Sequence, residues 1–231
     1  MAKGTLNVGS GVTATNTDDY GNVIGHITAG DAFTTADGAN VALGCNALGA
    51  ATSNLNNVAI GCHALAASVN DGDDNVAIGR LAMGVGDVAG DDNIAIGVTT
   101  MDALTSGACN IAIGISALGA ATDNNDNIAI GRSALSSTAN DADNNIGIGI
   151  NAMGGADVSA SNNVALGTNV MDALTSGACN IAIGENALGA ATIGVSNIAI
   201  GRAAMQGVTT LQTDFNIAIG YTALAGSSST A

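Results

Sequence analysis

The sequence predicts an all-β parallel β-solenoid, and three observations predict it. A five-residue phrase (Asn, then Val or Ile, then Ala or Gly, then Ile or Leu, then Gly) occurs eleven times, beginning at Asn40, Asn57, Asn75, Asn93, Asn110, Asn127, Asn145, Asn163, Asn180, Asn197 and Asn216. Successive starts are 17 to 19 residues apart. A fixed period in this range means stacked units that bury their faces against their neighbours. A longer period lies above the first. The stretch 101–114, MDALTSGACNIAIG, returns unchanged at 171–184, and ALGAAT recurs at 47–52, 117–122 and 187–192, each 70 residues apart. Composition is the third observation. The 231 residues are 47% hydrophobic but contain no Pro, no Trp, two Phe and two Tyr. A core built almost without aromatics is thin and regular, as stacked strands require.

In chain order, residues 1–21 read as an N-terminal arm, with GSG and TNTDD, suited to docking on a larger assembly. Residues 22–39 read as a degenerate capping coil. Asn22-Val23-Ile24-Gly25 is a contracted phrase, and Asp31-Ala32-Phe33-Thr34 echoes Asp102-Ala103-Leu104-Thr105. Residues 40–224 form the solenoid, of about eleven coils, and 225–231 a flexible tail. Solenoids need atypical ends to hide their open faces. All four aromatics lie near the ends, so Phe33, Phe215 and Tyr221 are the expected caps.

The coil 110–126, NIAIGISALGAATDNND, shows the expected local structure. Ile111 and Ile113 alternate with Ala112, which is strand periodicity, and the two Ile are expected to point inward as ladders. Gly114 ends the strand at a corner that favours positive φ or close backbone approach. Ala117-Leu118 supplies a second apolar pair, read as a shorter strand. The polar remainder is a turn. The Asn that opens each coil is expected to stack on its neighbours, its side chain capping a turn.

By the same alternation the middle residue of each phrase points outward. A flat strip of small side chains lets two sheets approach closely. The row Ala59, Ala77, Ala95, Ala112, Ala129, Gly147, Ala165, Ala182 and Ala199 is therefore the expected contact between copies of the chain. The alternative is that small residues there keep the coil tightly curved.

Chemistry-bearing residues are sparse. The formal net charge is −15, and Lys3, Arg80, Arg132 and Arg202 are the only strong bases. Such a surface repels nucleic acid and suits no anionic membrane. No segment approaches the ~18–20 apolar residues of a membrane helix. The N-terminus has no apolar signal-peptide run, which points away from the usual secretory route. Cys45 and Cys62 hold equivalent places in adjacent coils, about one strand spacing apart, which is within disulfide range. Small buried packing residues are the favoured reading for them. Cys109 and Cys179 are copies of each other, and the chain has no CxxC zinc motif. Asp71, Asp73, Asp74, Asp91, Asp92, Asp123, Asp126, Asp141 and Asp143 sit in loops. Their irregular spacing and the missing GGxGxD repeat favour solvated turns over calcium sites. His26, His63 and Glu185 are isolated. No catalytic, metal-binding or cofactor-binding residues are assigned, no cofactor is expected, and the chain is read as not an enzyme.

The phrase N-[VI]-A-[IL]-G-x-x-A-[LM] over about 40–224 resembles the head repeat of trimeric autotransporter adhesins and the similar repeats of phage tail-fibre and other virion proteins. The resemblance implies a left-handed parallel β-roll, a homotrimer, and an adhesive surface. The coils here are longer than the adhesin's, and neither a coiled-coil stalk nor a membrane anchor is evident in the sequence. The 18-residue steps also allow a triangular β-helix of hexapeptides, against which the 17-residue steps argue. The expected function is a structural virion protein. It would be a short trimeric fibre or decoration, attached to other virion proteins through the N-terminal region and able to bind a host-surface receptor or glycan. The alternative is a bacterial cell-surface or extracellular adhesin, or a self-assembling filament subunit. Scattered Thr residues argue against an ice-binding solenoid.

Overall fold

A computed structural model of the chain describes residues 21–33, 38–69, 72–137, 142–155, 159–207 and 214–226, and the backbone alone of 6–7 and 13–14. Its strands are numbered in chain order. The short β1 (Leu6–Asn7) and β2 (Thr13–Ala14) pair antiparallel. Each of the eleven phrases then forms one three-residue strand, from β4 (Val41–Leu43) to β14 (Ile217–Ile219). Preceded by β3 (Val23–Ile24), they make one twelve-stranded parallel sheet in strict sequence order. The fold is a β-solenoid, and the described residues contain no helix. The sheet register places like on like. Ala95 pairs with Ala112 and Ala112 with Ala129.

The opening asparagines hold the stack. All of them from Asn22 to Asn197 are buried. The backbone N–H of Asn110 donates to Oδ1 of Asn93 at 3.0 Å, and that of Asn127 to Oδ1 of Asn110 at 3.0 Å. Nδ2 of Asn110 reaches across its own coil to the carbonyl of Asn124 at 2.6 Å. Asn57, Asn75, Asn145 and Asn180 close their coils the same way, onto Gly72, Gly90, Ala160 and Gly194. One side chain thus satisfies a donor along the stack and an acceptor across the coil, as buried backbone groups require. The ladder expected from the sequence is present.

The facing of the strands is the reverse of the sequence expectation. Ala59, Ala77, Ala95, Ala112, Ala129, Gly147, Ala165, Ala182 and Ala199 are fully buried inside the coil, so they cannot be a contact between copies. The flanking Val, Ile and Leu point outward and are half-buried or exposed. The cause is the period of two along a strand. Asn110 is buried by its ladder, so Ala112 shares its face, and Ile111 and Ile113 must take the other. The interior volume is filled from the opposite wall. There Leu48, Leu65, Met83, Met101, Leu118, Leu135, Met153, Met171, Leu188 and Met205 form a fully buried column. Little space remains between the walls. A Cβ built on Gly147 would lie 3.1 Å from Cγ of Leu135. Alanine is about the largest residue the strand wall accepts. The alternative reading, that small residues there serve a tight coil, agrees with this.

The expected second strand is a turn. Ser116 (φ 54) and Leu118 (φ 49) are left-handed, as are their counterparts in other coils, for example Ser133 and Leu135. Left-handed backbone costs roughly 1–2 kcal/mol for an L-residue. Two such residues per turn cost about 2–4 kcal/mol, of which burying the Leu or Met side chain offsets on the order of 1.5–3 kcal/mol. The geometry keeps the amides aligned with the stack. Ser116 N–H donates to Val98 at 3.0 Å and Leu118 N–H to Ala134 at 3.0 Å. Gly114, at φ 140, is required twice over: the backbone region disfavours side chains, and a Cβ would strike the carbonyl oxygen of Gly131. Such a corner admits little else.

At the N-terminal end, Asn22 joins the asparagine ladder and Phe33 packs against the core. Phe33 N–H bonds to Gly30 at 3.1 Å, and Leu104 N–H bonds to Met101 at 3.1 Å, so the two segments share one turn. At the other end Phe215 is 79% and Tyr221 67% exposed, so these two do not cover the coil beneath them. Tyr221 instead stacks under Arg202, 4.7 Å from the ring centroid. Most of the expected docking arm, and residues 227–231 of the tail, lie outside the described residues.

Candidate functional site

Because the alanines face inward, the sheet shows an apolar exterior. Two outward columns run its length, from Val41 to Ile217 and from Leu43 to Ile219, all Val, Ile or Leu. Leu43, Ile113 and Ile181 are between 36 and 38% exposed even with neighbours stacked on them. Twelve strands at ~4.8 Å spacing make this face ~50 Å long, and three residues per strand make it ~10 Å wide.

The residue after each corner glycine adds a third column, which includes Cys62, Arg80, Ile115, Arg132, Ile150, Glu185 and Arg202, all exposed. The residue before each buried Asn adds a fourth on the opposite edge, which includes Asn56, Asp74, Asp92, Cys109, Asp126 and Asn144, all exposed. With these edges the face approaches ~1,000 Å². The apolar columns alone, about 50 by 10 Å, reach the upper part of the ~300–600 Å² range of the largest apolar patch on a monomer, a size that is often functional, and the whole face resembles the ~800 Å² that one partner gives to a stable interface.

The remaining candidate residues are not brought together as chemistry. All four cysteines are free and exposed, so Cys45 and Cys62 are not the buried packing residues expected. They occupy outward columns, where no interior volume calls for them. Sγ of Cys62 lies 3.1 Å from Nδ1 of His63. Desolvation, a hydrogen bond to Cys45 and the charge of that neighbour push the Cys62 thiol upward, against the opposing pull of Arg80. A raised thiol is a poor nucleophile, since the thiolate is the reactive form. Among the described residues no three His, Cys, Asp or Glu side chains cluster as metal ligands.

Several loop carboxylates serve the stack. Asp73 accepts the N–H of Leu55 at 2.7 Å, Asp91 that of Asp73 at 2.9 Å, and Asp143 that of Asn125 at 2.7 Å. They form a second ladder that sequence reading assigned to solvated turns. Asp71 and Asp141 lie outside the described residues. Asp102 and Asp172, the copies 70 residues apart, have carboxyls raised above their ordinary value, chiefly by partial burial. The signal that could have revealed the apolar face was the Asn itself: its buried ladder fixes which residues point out.

No family model, no curated protein and no solved structure matches the chain. The face must therefore be read from its own chemistry.

Proposed function

We propose that the chain is a structural, non-catalytic virion protein, a short trimeric fibre or decoration whose copies associate through the Ile face and whose outer surface attaches to a host receptor or glycan. The observation that carries this reading is the ~50 Å ladder of outward Val, Ile and Leu. Leaving a row of β-branched side chains in water forgoes on the order of 25 cal/mol per Å² of apolar area, a strong drive toward association. Copies of the same chain present the same face, of the same length and the same repeat. The resemblance of the phrase to adhesin and tail-fibre repeats favours three copies. A rod of this length suits a tip or spike. The acidic surface, with a net charge of −15, keeps such a particle component soluble and away from nucleic acid. Attachment to other virion proteins is assigned to the N-terminal region.

The test is localisation. Antibody raised against residues 40–224 should label intact particles from the source at discrete external positions. Label confined to a bacterial cell surface would replace this reading with the adhesin.

A second reading, a self-assembling filament subunit, draws on the last coil. Ile217 and Ile219 are 69 and 68% exposed beside exposed Phe215, which leaves an apolar coil end open to another coil. In negative stain, rods much longer than ~50 Å at high protein concentration would favour it.

A further inference from the structure

The edges of the Ile face carry opposite charge, and in matching coils. All three arginines of the chain, Arg80, Arg132 and Arg202, sit in the column after the corner glycine. Asp74, Asp92 and Asp126 sit in the column before the buried Asn, on the other side of the strand. Two coils carry both: Asp74-Asn75-Val76-Ala77-Ile78-Gly79-Arg80 and Asp126-Asn127-Ile128-Ala129-Ile130-Gly131-Arg132. In each, five residues separate acid from base across the outward Ile or Val pair. Six positions along an extended strand span ~20 Å, so the two ends of one strand are too far apart to meet within a coil.

Symmetry decides what these charges can do. Suppose copies meet face to face around an axis parallel to the stack. The glycine edge of one copy then lies beside the asparagine edge of the next, at the same coil. If the copies run antiparallel, glycine edge meets glycine edge and Arg columns face one another. Register is restricted as well. With no offset, Arg80 meets Asp74 and Arg132 meets Asp126. An offset of one coil leaves at most one of these arginines opposite an acid of the same column. Glu185 agrees with this register, since its own coil has the neutral Cys179 on the other edge.

Building on the reading that copies associate through the Ile face, we infer that Arg80 and Arg132 of one copy pair with Asp74 and Asp126 of the next, and that these pairs set a parallel, in-register cyclic assembly. The apolar columns supply affinity without choosing polarity or register, because they repeat every coil. The sparse charges choose, as charges commonly do at interface edges. A cyclic arrangement also closes, which a heterologous edge contact requires if it is not to form open fibres.

Cysteine cross-linking of the full chain tests the geometry. Cys109 lies in the asparagine-edge column and Ile115 in the glycine-edge column of the same coil. In a chain carrying Cys45→Ser, Cys62→Ser and Cys179→Ser, the added substitution Ile115→Cys should give covalent oligomers with a copper–phenanthroline oxidant, joined through Cys109 of one copy. The parent triple variant should give none. Joint reversal, Arg80→Asp with Arg132→Asp, should weaken association about tenfold or more, and adding Asp74→Arg with Asp126→Arg should restore it. An oligomer by sedimentation that fails to cross-link at this pair, or whose association ignores both sets of reversals, overturns the register and leaves self-association standing. A chain that stays monomeric by sedimentation overturns both.

Discussion

Replacing Asn110 with Ala removes one rung of the ladder that closes the coils. Its Oδ1 accepts the buried N–H of Asn127 at 3.0 Å, and its Nδ2 donates to the carbonyls of Asn124 at 2.6 Å and Ala108 at 3.1 Å. Truncation leaves the Asn127 N–H and the Asn124 carbonyl unpaired inside the stack. A buried polar group left unsatisfied costs roughly 1–3 kcal/mol, so two predict a loss of about 2–6 kcal/mol. A domain of ordinary stability, ~5–15 kcal/mol, would be left marginal. Urea denaturation followed by far-UV circular dichroism measures the loss, and hydrogen exchange should place it first in the coils around 93–126, since each coil depends on its neighbours. Asn110→Asp keeps the acceptor but loses the donor and buries a charge, so it should be worse near neutral pH than in mild acid. A loss under about 0.5 kcal/mol for Asn110→Ala, against the 1–3 expected per orphaned group, would refute the reasoning.

Three further outcomes are expected. Ala112→Leu should destabilise by at least ~1–3 kcal/mol through overpacking against the Leu and Met column, whereas Ile113→Ser should leave the coils of a single chain folded; equal tolerance of both, in thermal melts, would place Ala112 outside. Asp102 and Asp172 have carboxyls raised by burial, so the folded state holds their protons more tightly than the unfolded state. Their contribution to stability therefore falls as pH rises through and above the ordinary carboxylate range. Asp102→Asn with Asp172→Asn should melt higher than the parent at pH 7, with the gain vanishing near pH 3. Finally, Cys45, Cys62, Cys109 and Cys179 are exposed on the single chain, so all four should react with Ellman's reagent without denaturant in a chain kept apart by Ile96→Ser, Ile113→Ser and Ile130→Ser; thiols masked until unfolding in that chain would return them to the interior.

The period and the asparagine positions made the fold legible before any coordinates. Eleven phrases at 17 to 19 residues became eleven strands in register. The orientation of those strands was not legible from hydrophobicity. Ile outranks Ala on any apolar scale, and a pattern of Ile-Ala-Ile reads as Ile inward. The competing constraint was polar: a stack of Asn side chains must be buried to bond along the axis, and Asn and Ala share a face. Ala117-Leu118 reads as an apolar pair, but nothing local announces left-handed backbone at a bulky residue. Only the need to keep inter-coil hydrogen bonds around a corner explains it. The edge charges were visible as letters, yet they acquire meaning only when the outward face between them is known.

The central claim is that the outward Val, Ile and Leu columns form an interface between copies of this chain. Sedimentation equilibrium at micromolar concentration tests it most directly, on the parent and on a variant carrying Ile96→Ser, Ile113→Ser and Ile130→Ser. The account predicts a parent mass three times the 22.1 kDa of one chain, and dissociation toward the single-chain mass in the variant while its circular dichroism remains that of a β-solenoid. A parent that sediments as one 22.1 kDa chain would contradict it, as would an oligomer unchanged by the three substitutions.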